Sequence, residues 1–299
     1  SRLISYDRYF VVENIDDVNK IFIANRNGEK TTLEKIDGVW MYNTKYKARP
    51  TVVKNILKTL HEMKMKYGVP KSMVKGVIED LAVKGIKVEV YDKRDNKLKS
   101  FYIGGVTQDE TGTMMIMEDA DVPYVVHLPS KQQNLRIIFD MQGDDWRDRT
   151  FLSEKFENIK TLSVNYPNFK AKSFTIINQK SNPYVKPLYE DTPLPPGELN
   201  KGKVVAYLNQ FENLVAENFR NNYDKKDSIS QTVPFVQFKI ETNDGKQEVC
   251  TFYPIYIVVN TDELVLDRHF VEREDGQFYI IQDLAINKIF KDYFSFFTK

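Results

Sequence analysis

Val53, Ile56, Leu57, Leu60 and Met63 place apolar side chains at helical spacing, and Val204, Tyr207, Leu208, Phe211 and Leu214 repeat that spacing at a constant offset of 151 residues. The agreement extends along the chain. Val88 and Val90 lead through a polar turn to Phe101 and Tyr102, as Phe238 and Ile240 lead through Asn243-Asp244-Gly245 to Phe252 and Tyr253. Tyr124-Val125-Val126 precedes Ile137-Ile138-Phe139, as Tyr279-Ile280-Ile281 precedes Ile286, Ile289 and Phe290. Glu13-Asn14-Ile15 opens the first copy and Glu157-Asn158-Ile159 the second. The pattern predicts an α+β protein of two tandem similar units, 10–140 and 157–299, joined by a hinge at 141–156, each an antiparallel sheet covered by helices on one face.

Within the first copy, Ile21 and Ile23 alternate with polar neighbours, and Asn27-Gly28 and Asp37-Gly38 supply hairpin turns towards Thr31, Leu33 and Val39-Trp40-Met41-Tyr42. A meander is expected there. Pro50 suits a first helical turn, and the helix is predicted to run to about Lys66. Its lysines from Lys58 to Lys66 alternate with the apolar stripe and read as a solvated face. A second helix is expected after Pro70, on Met73, Val74, Val77, Ile78 and Leu81, with Gly85 at its C-terminus. Strands are expected at 86–91, 98–103, 113–118 and 124–128.

The second copy departs from the first in three places. Five of the twelve prolines, Pro183, Pro187, Pro193, Pro195 and Pro196, predict an irregular loop over 180–200. The polar stretch 221–231 stands where the second helix would be. An insertion, 255–269, separates the later strands, and its apolar run Ile255 to Val259 is expected as a strand. Divergence on a repeated scaffold marks segments where function can be added.

Composition narrows the function classes. A hydrophobic content of 41% across 299 residues supports folded cores. The balance of 43 Lys and Arg against 42 Asp and Glu provides no field that would draw the chain to nucleic acid, so no nucleic-acid partner is expected. The single cysteine, Cys250, forms no internal disulfide and reads as a buried strand thiol. His61, His127 and His269 lack metal-ligand spacing, so neither a metal nor a cofactor is expected. The run Asp144, Asp145 and Asp148 lacks the glycine and oxygen spacing of a calcium loop.

One run could cradle an anion. In IGGVTQDETGT, from Ile103, the candidate binding residues are Gly104, Gly105, Thr107, Asp109, Gly112 and Thr113, and Trp146 with Arg147 completes the set. Against an anion site, a strand rather than a helix N-terminus follows, and Asp109 and Glu110 would repel phosphate. The run therefore reads as a loop between strands. Carboxylates could still serve a hydrolase if two faced each other across a cleft, and Tyr102, Trp146 and Tyr189 could stack a sugar.

KIFIANRNGEKTTLEKIDGVWMYNTKYKARPTVVKNILKTL from Lys20, FYIGGVTQDETGTMMIMEDADVPYVVHLP from Phe101 and DDWRDRTFL from Asp144 resemble the bacterial family of domain of unknown function 4340. The glycine-threonine loop followed by Tyr124-Val125-Val126-His127 is the most specific piece. The resemblance implies an extracytoplasmic, periplasmic region tethered to the inner membrane by an N-terminal segment absent from this chain. It also implies kinship with domains in auxiliary proteins of ABC-type gliding-motility systems, and it supplies no catalytic residues. An opening at Ser1 without methionine fits a chain trimmed of such a segment. The expectation is a non-enzymatic interaction or scaffolding module with a protein partner in a membrane-associated complex, acting through the groove between copies or the proline-rich loop. The alternatives are a carboxylate-dependent envelope glycan hydrolase and a small-ligand binding protein.

Overall fold

In the computed structural model, which describes residues 6–131, 134–260 and 262–298, the alternating N-terminal segment becomes an antiparallel meander. Strands β1 (Lys20–Ala24), β2 (Lys30–Ile36), β3 (Val39–Tyr42) and β4 (Tyr46–Lys47) pair in succession. The turn between β2 and β3 has both Asp37 and Gly38 at positive φ, +50° and +82°, the handedness that follows the natural twist of the paired strands. The chain divides into two compact units, 1–148 and 149–299, and both mix helix with antiparallel sheet.

Helix α1 (Pro50–Glu62) starts at its proline and buries Val53, Ile56 and Leu60. It ends at Glu62, short of the predicted Lys66. Met63 turns extended while staying fully buried, and Lys64, Met65, Lys66 and Tyr67 then form β5 (Lys64–Gly68), the sheet's edge strand beside β9. The alternating lysines past Glu62 thus belong to a strand edge, where lysine blunts unwanted pairing. Helix α2 (Lys71–Lys84) follows Pro70 and stops at Gly85, whose N–H donates to the Leu81 carbonyl. A Cβ at Gly85 would overlap that same carbonyl oxygen, which is the reason for glycine there.

The remaining strands of this unit are β6 (Ile86–Tyr91), β7 (Lys97–Val106), β8 (Thr113–Met117) and β9 (Tyr124–His127), before helix α3 (Leu135–Phe139). They complete a nine-stranded sheet in the order β4-β3-β2-β1-β6-β7-β8-β9-β5. Helical cover here lies on both faces, not on one. Residues 101 and 102 point to opposite sides of β7: Phe101 joins the core containing α1, while Tyr102, with Met114, Ile116 and Val125, packs against Val77 and Leu81 of α2.

The second unit opens with β10 (Thr150–Leu152), β11 (Ile159–Asn165), β12 (Phe174–Gln179) and β13 (Asn182–Pro187). There follow β14 (Glu198–Leu199), α4 (Lys201–Leu208), β15 (Leu214–Val215), β16 (Asn218–Phe219) and the short α5 (Lys226–Ser230). The chain closes with β17 (Val236–Thr242), β18 (Gln247–Val259), β19 (Glu263–Arg273), β20 (Phe278–Gln282), α6 (Asp283–Ile286) and β21 (Phe297–Thr298). The eight-stranded sheet runs β13-β12-β11-β17-β18-β19-β20-β16. Two small pairs, β10 with β15 and β14 with β21, lie outside it. Leu162, Val204, Phe211, Phe238 and Phe252 are fully buried in its core.

Residues 182–187 correct the expectation of a loop throughout 180–200. Pro183 and Pro187 sit in β13, at the sheet's edge, where a residue with no N–H to donate costs little. Among the described residues no helix is long and apolar enough to cross a membrane.

Candidate functional site

The glycine-threonine run forms the β7–β8 hairpin, and its polar groups satisfy one another. Thr107 Oγ1 donates to Asp109 Oδ1 at 2.6 Å and accepts from the Gly112 N–H at 3.1 Å, and the Thr111 N–H also reaches the Asp109 carboxylate. These donors hold the exposed Asp109 carboxyl down at about 2. It stays ionised, whereas a general acid needs the opposite shift. Glu110 is exposed beside it at φ +57°.

The glycines serve close packing. A Cβ at Gly104 would come within 2.9 Å of Leu81 Cδ2 and 3.1 Å of the Met114 carbonyl, and one at Gly112 would overlap Val125 Cγ1. Gly105 has room, with Asp80 3.9 Å from where its Cβ would be. Thr113 is buried and accepts from the Leu135 N–H at 3.3 Å. Between α2 and the hairpin a cavity of about 300 Å³ remains, lined by Met73, Val77, Leu81, Gly104, Val106 and Met114 among others.

Trp146 and Arg147 have their own surroundings in the same unit. Trp146 is 1% exposed in the core, with Nε1 donating to the Met141 carbonyl at 2.9 Å. Arg147 lies 3.7 Å over the Tyr46 ring and pairs with Asp144 at 2.8 Å. Among the described residues no three His, Cys, Asp or Glu side chains gather so as to hold a metal ion.

In the second unit the thiol of Cys250 is buried, and burial pushes it up to about 12. Its nucleophilic thiolate is therefore negligible near neutrality. His269 is also fully buried, ringed by Phe235, Phe252 and Phe290, with Nε2 2.8 Å from Asp283 Oδ1. Burial lowers its pKa below the ordinary 6.5, outweighing the pull of Asp283. On acidification the unfolded chain therefore takes up this proton first. The stability it confers is complete above about pH 6.5 and lost as pH falls through the lower folded value. His127 shifts in the same direction through burial and Lys66 and Lys64. Urea unfolding between pH 7 and pH 5 should show falling stability, and His269→Phe should flatten that slope; an unchanged slope would remove His269 as its source.

The feature that stands out is the hairpin of β18 and β19. β17 pairs with β18 only as far as Phe252, and β20 pairs with β19 only from Arg268 onward. Residues 254–260 and 262–267 therefore project as a two-stranded arm, and among the described residues neither of its edges is paired in the sheet. Tyr256 faces Leu266, Ile257 faces Val265 and Val258 faces Leu264 across the arm. Cross-strand partners share a face and successive residues alternate, so apolar side chains cover both faces. Tyr256, Val258 and Leu264 on one face are 54%, 65% and 67% exposed, and Ile257, Val259 and Val265 on the other are 36–42% exposed.

Acidic Asp262 and Glu263 occupy the tip, and no Lys or Arg lies within 254–267. At the base, Asp267 is neutralised by Arg268, which also meets Glu217 at 2.9 Å. Apart from Pro254 the arm falls within the predicted insertion, yet none of its residues figures among the sequence-derived candidates. The available signal was two apolar runs, 255–259 and 264–266, without the polar alternation of a half-buried hairpin.

No curated protein and no solved structure matches the chain. A family model does match, over residues 16–232, so the arm lies beyond the matched segment. That match covers well over half of the sequence, and the chain belongs to the family described as Domain of unknown function (DUF4340).

Proposed function

We propose that this chain is a non-enzymatic interaction module that holds a protein partner through the arm at 254–267, within a membrane-associated, extracytoplasmic assembly. The observation that carries the reading is the arm itself. An isolated two-stranded hairpin is at best marginally stable in water, and clustered exposed apolar side chains mark interaction surfaces. Six such side chains on a strand pair with two open edges are suited to burial by another protein. The extracytoplasmic, membrane-tethered setting follows the family resemblance and is part of the proposal.

Duplication is also part of it. The order β3-β2-β1-β6-β7-β8-β9-β5 and the order β13-β12-β11-β17-β18-β19-β20-β16 connect their strands in the same succession. α1 and α4 precede the matching edge strands, α2 and α5 follow them, and α3 and α6 follow β9 and β20. On this correspondence the arm replaces the β7–β8 turn of the first copy. There, fourteen-residue α2 covers the hairpin, whereas α5 has five residues.

The test places a photo-crosslinking amino acid at position 258 of the full-length protein in cells. A discrete protein adduct is expected, lost when Leu264→Asp is added to a chain whose circular dichroism is unchanged. Absence of any protein adduct, with turnover of an envelope polymer by the purified protein, would overturn the reading in favour of a hydrolase.

A further inference from the structure

Resting on that reading, we infer that the arm's partner is a second copy of this chain, and that the arm seats in the groove beside α1 of the first unit. The groove has a volume of about 710 Å³. Val39, Trp40 and Leu57 provide its apolar floor, and Val39 is 44% exposed. Lys47, Lys54 and Lys58 stand around it, with Glu62 and Asp148 as the acidic members. Glu62 is engaged by Lys58 at 3.8 Å.

Charge and shape select this occupant. The arm brings apolar faces and an acidic tip without a single basic residue, and the groove brings an apolar floor with three lysines against two carboxylates, one of which is paired with Lys58. Opposite charges at the rim steer the encounter while apolar burial holds the contact. The cavity beside α2 is a poorer receptor, since it is under half the volume and its lining carries Asp80 with no lysine or arginine. An anionic bilayer would repel Asp262 and Glu263. Because arm and groove are different patches, the contact is heterologous, and every copy offers one donor and one receptor. That geometry suits a scaffold, which gains further attachment points with each added copy.

Sedimentation of the purified chain at rising concentration tests the inference. The average mass is expected to climb above the monomer and to fall back as salt screens the rim. Val258→Asp with Leu264→Asp in the arm, and separately Val39→Glu with Leu57→Glu in the groove, should each weaken association by about 30-fold or more. Circular dichroism and urea titration establish that each variant is folded. All four substitutions lie at side chains that are not fully buried, and Lys54→Glu with Lys58→Glu offers a wholly surface version of the groove change.

Mixing the arm variant with the groove variant should restore a dimer, since the intact groove of one meets the intact arm of the other. A wild-type chain that stays monomeric, an oligomer that survives both variants, or a mixture that does not recover would each overturn the second-copy partner. A monomer whose position-258 crosslinker still captures a different protein would overturn this inference and leave the interaction reading standing. Arm-dependent sedimentation with anionic vesicles by a monomeric chain would overturn it in favour of a lipid surface.

Discussion

Trp146→Ala is expected to lower the unfolding free energy by about 3–5 kcal/mol, the range for removing a large aromatic side chain from a packed core. Its indole is 1% exposed among the buried residues of the first unit, and its N–H satisfies the Met141 carbonyl. Alanine would leave a cavity and an unpaired acceptor together. Trp146→Phe retains most of the ring and should cost less, closer to the loss of one hydrogen bond, about 1 kcal/mol, plus the missing volume. Urea titration followed by circular dichroism measures both. Native stability in Trp146→Ala would show that the indole is not structural, and would return it to the aromatic residues able to stack a ligand.

Phe252→Ala should be comparably severe in the second unit, also about 3–5 kcal/mol. The ring is fully buried and meets Phe151, Phe238, Phe290 and His269 at centroid distances of 5.4–6.1 Å. Its loss opens space directly beside the buried imidazole. Water entering there would weaken the burial that depresses His269, so the pH slope should shrink along with the stability. A variant destabilised as expected but with an unaltered acid slope would show that the imidazole stays dry. Near-native stability would contradict the aromatic packing altogether.

Local rules made much of the fold legible. Asn27-Gly28 and Asp37-Gly38 name their turns because glycine and short polar residues adopt positive φ cheaply, and both turns form where expected. Pro50 and the stripe Val53, Ile56 and Leu60 name α1 with the same directness. The end of that helix was hidden because lysines spaced at 58, 64 and 66 suit a solvated helix face and an edge strand equally. The second helical layer was hidden because Met114, Ile116 and Val125 need cover on the face opposite Phe101 and Met115, and alternation alone does not say that both faces of a strand are buried.

The candidate site was legible only as a location. The insertion could be seen, but Ile255 to Val259 has the composition of a buried central strand, and its pairing with β19 alone, beyond the end of β17, is a property of topology. Conversely, the run from Gly104 to Thr113 drew attention because glycines and hydroxyls are the material of anion sites. In the fold those glycines admit Leu81 and Val125, and Thr107 bonds the turn to itself. Residue type alone does not separate a phosphate cradle from a tight hairpin, whereas the direction of the N–H groups does.

The depth at which Cys250 lies makes the native chain silent towards maleimides and other thiol-directed labels. A cysteine introduced at Val258 or at Leu57 would then be the only reactive sulfur on the folded surface. Fluorophores or spin labels placed at those two positions could report distances between molecules without the native sulfur first being removed.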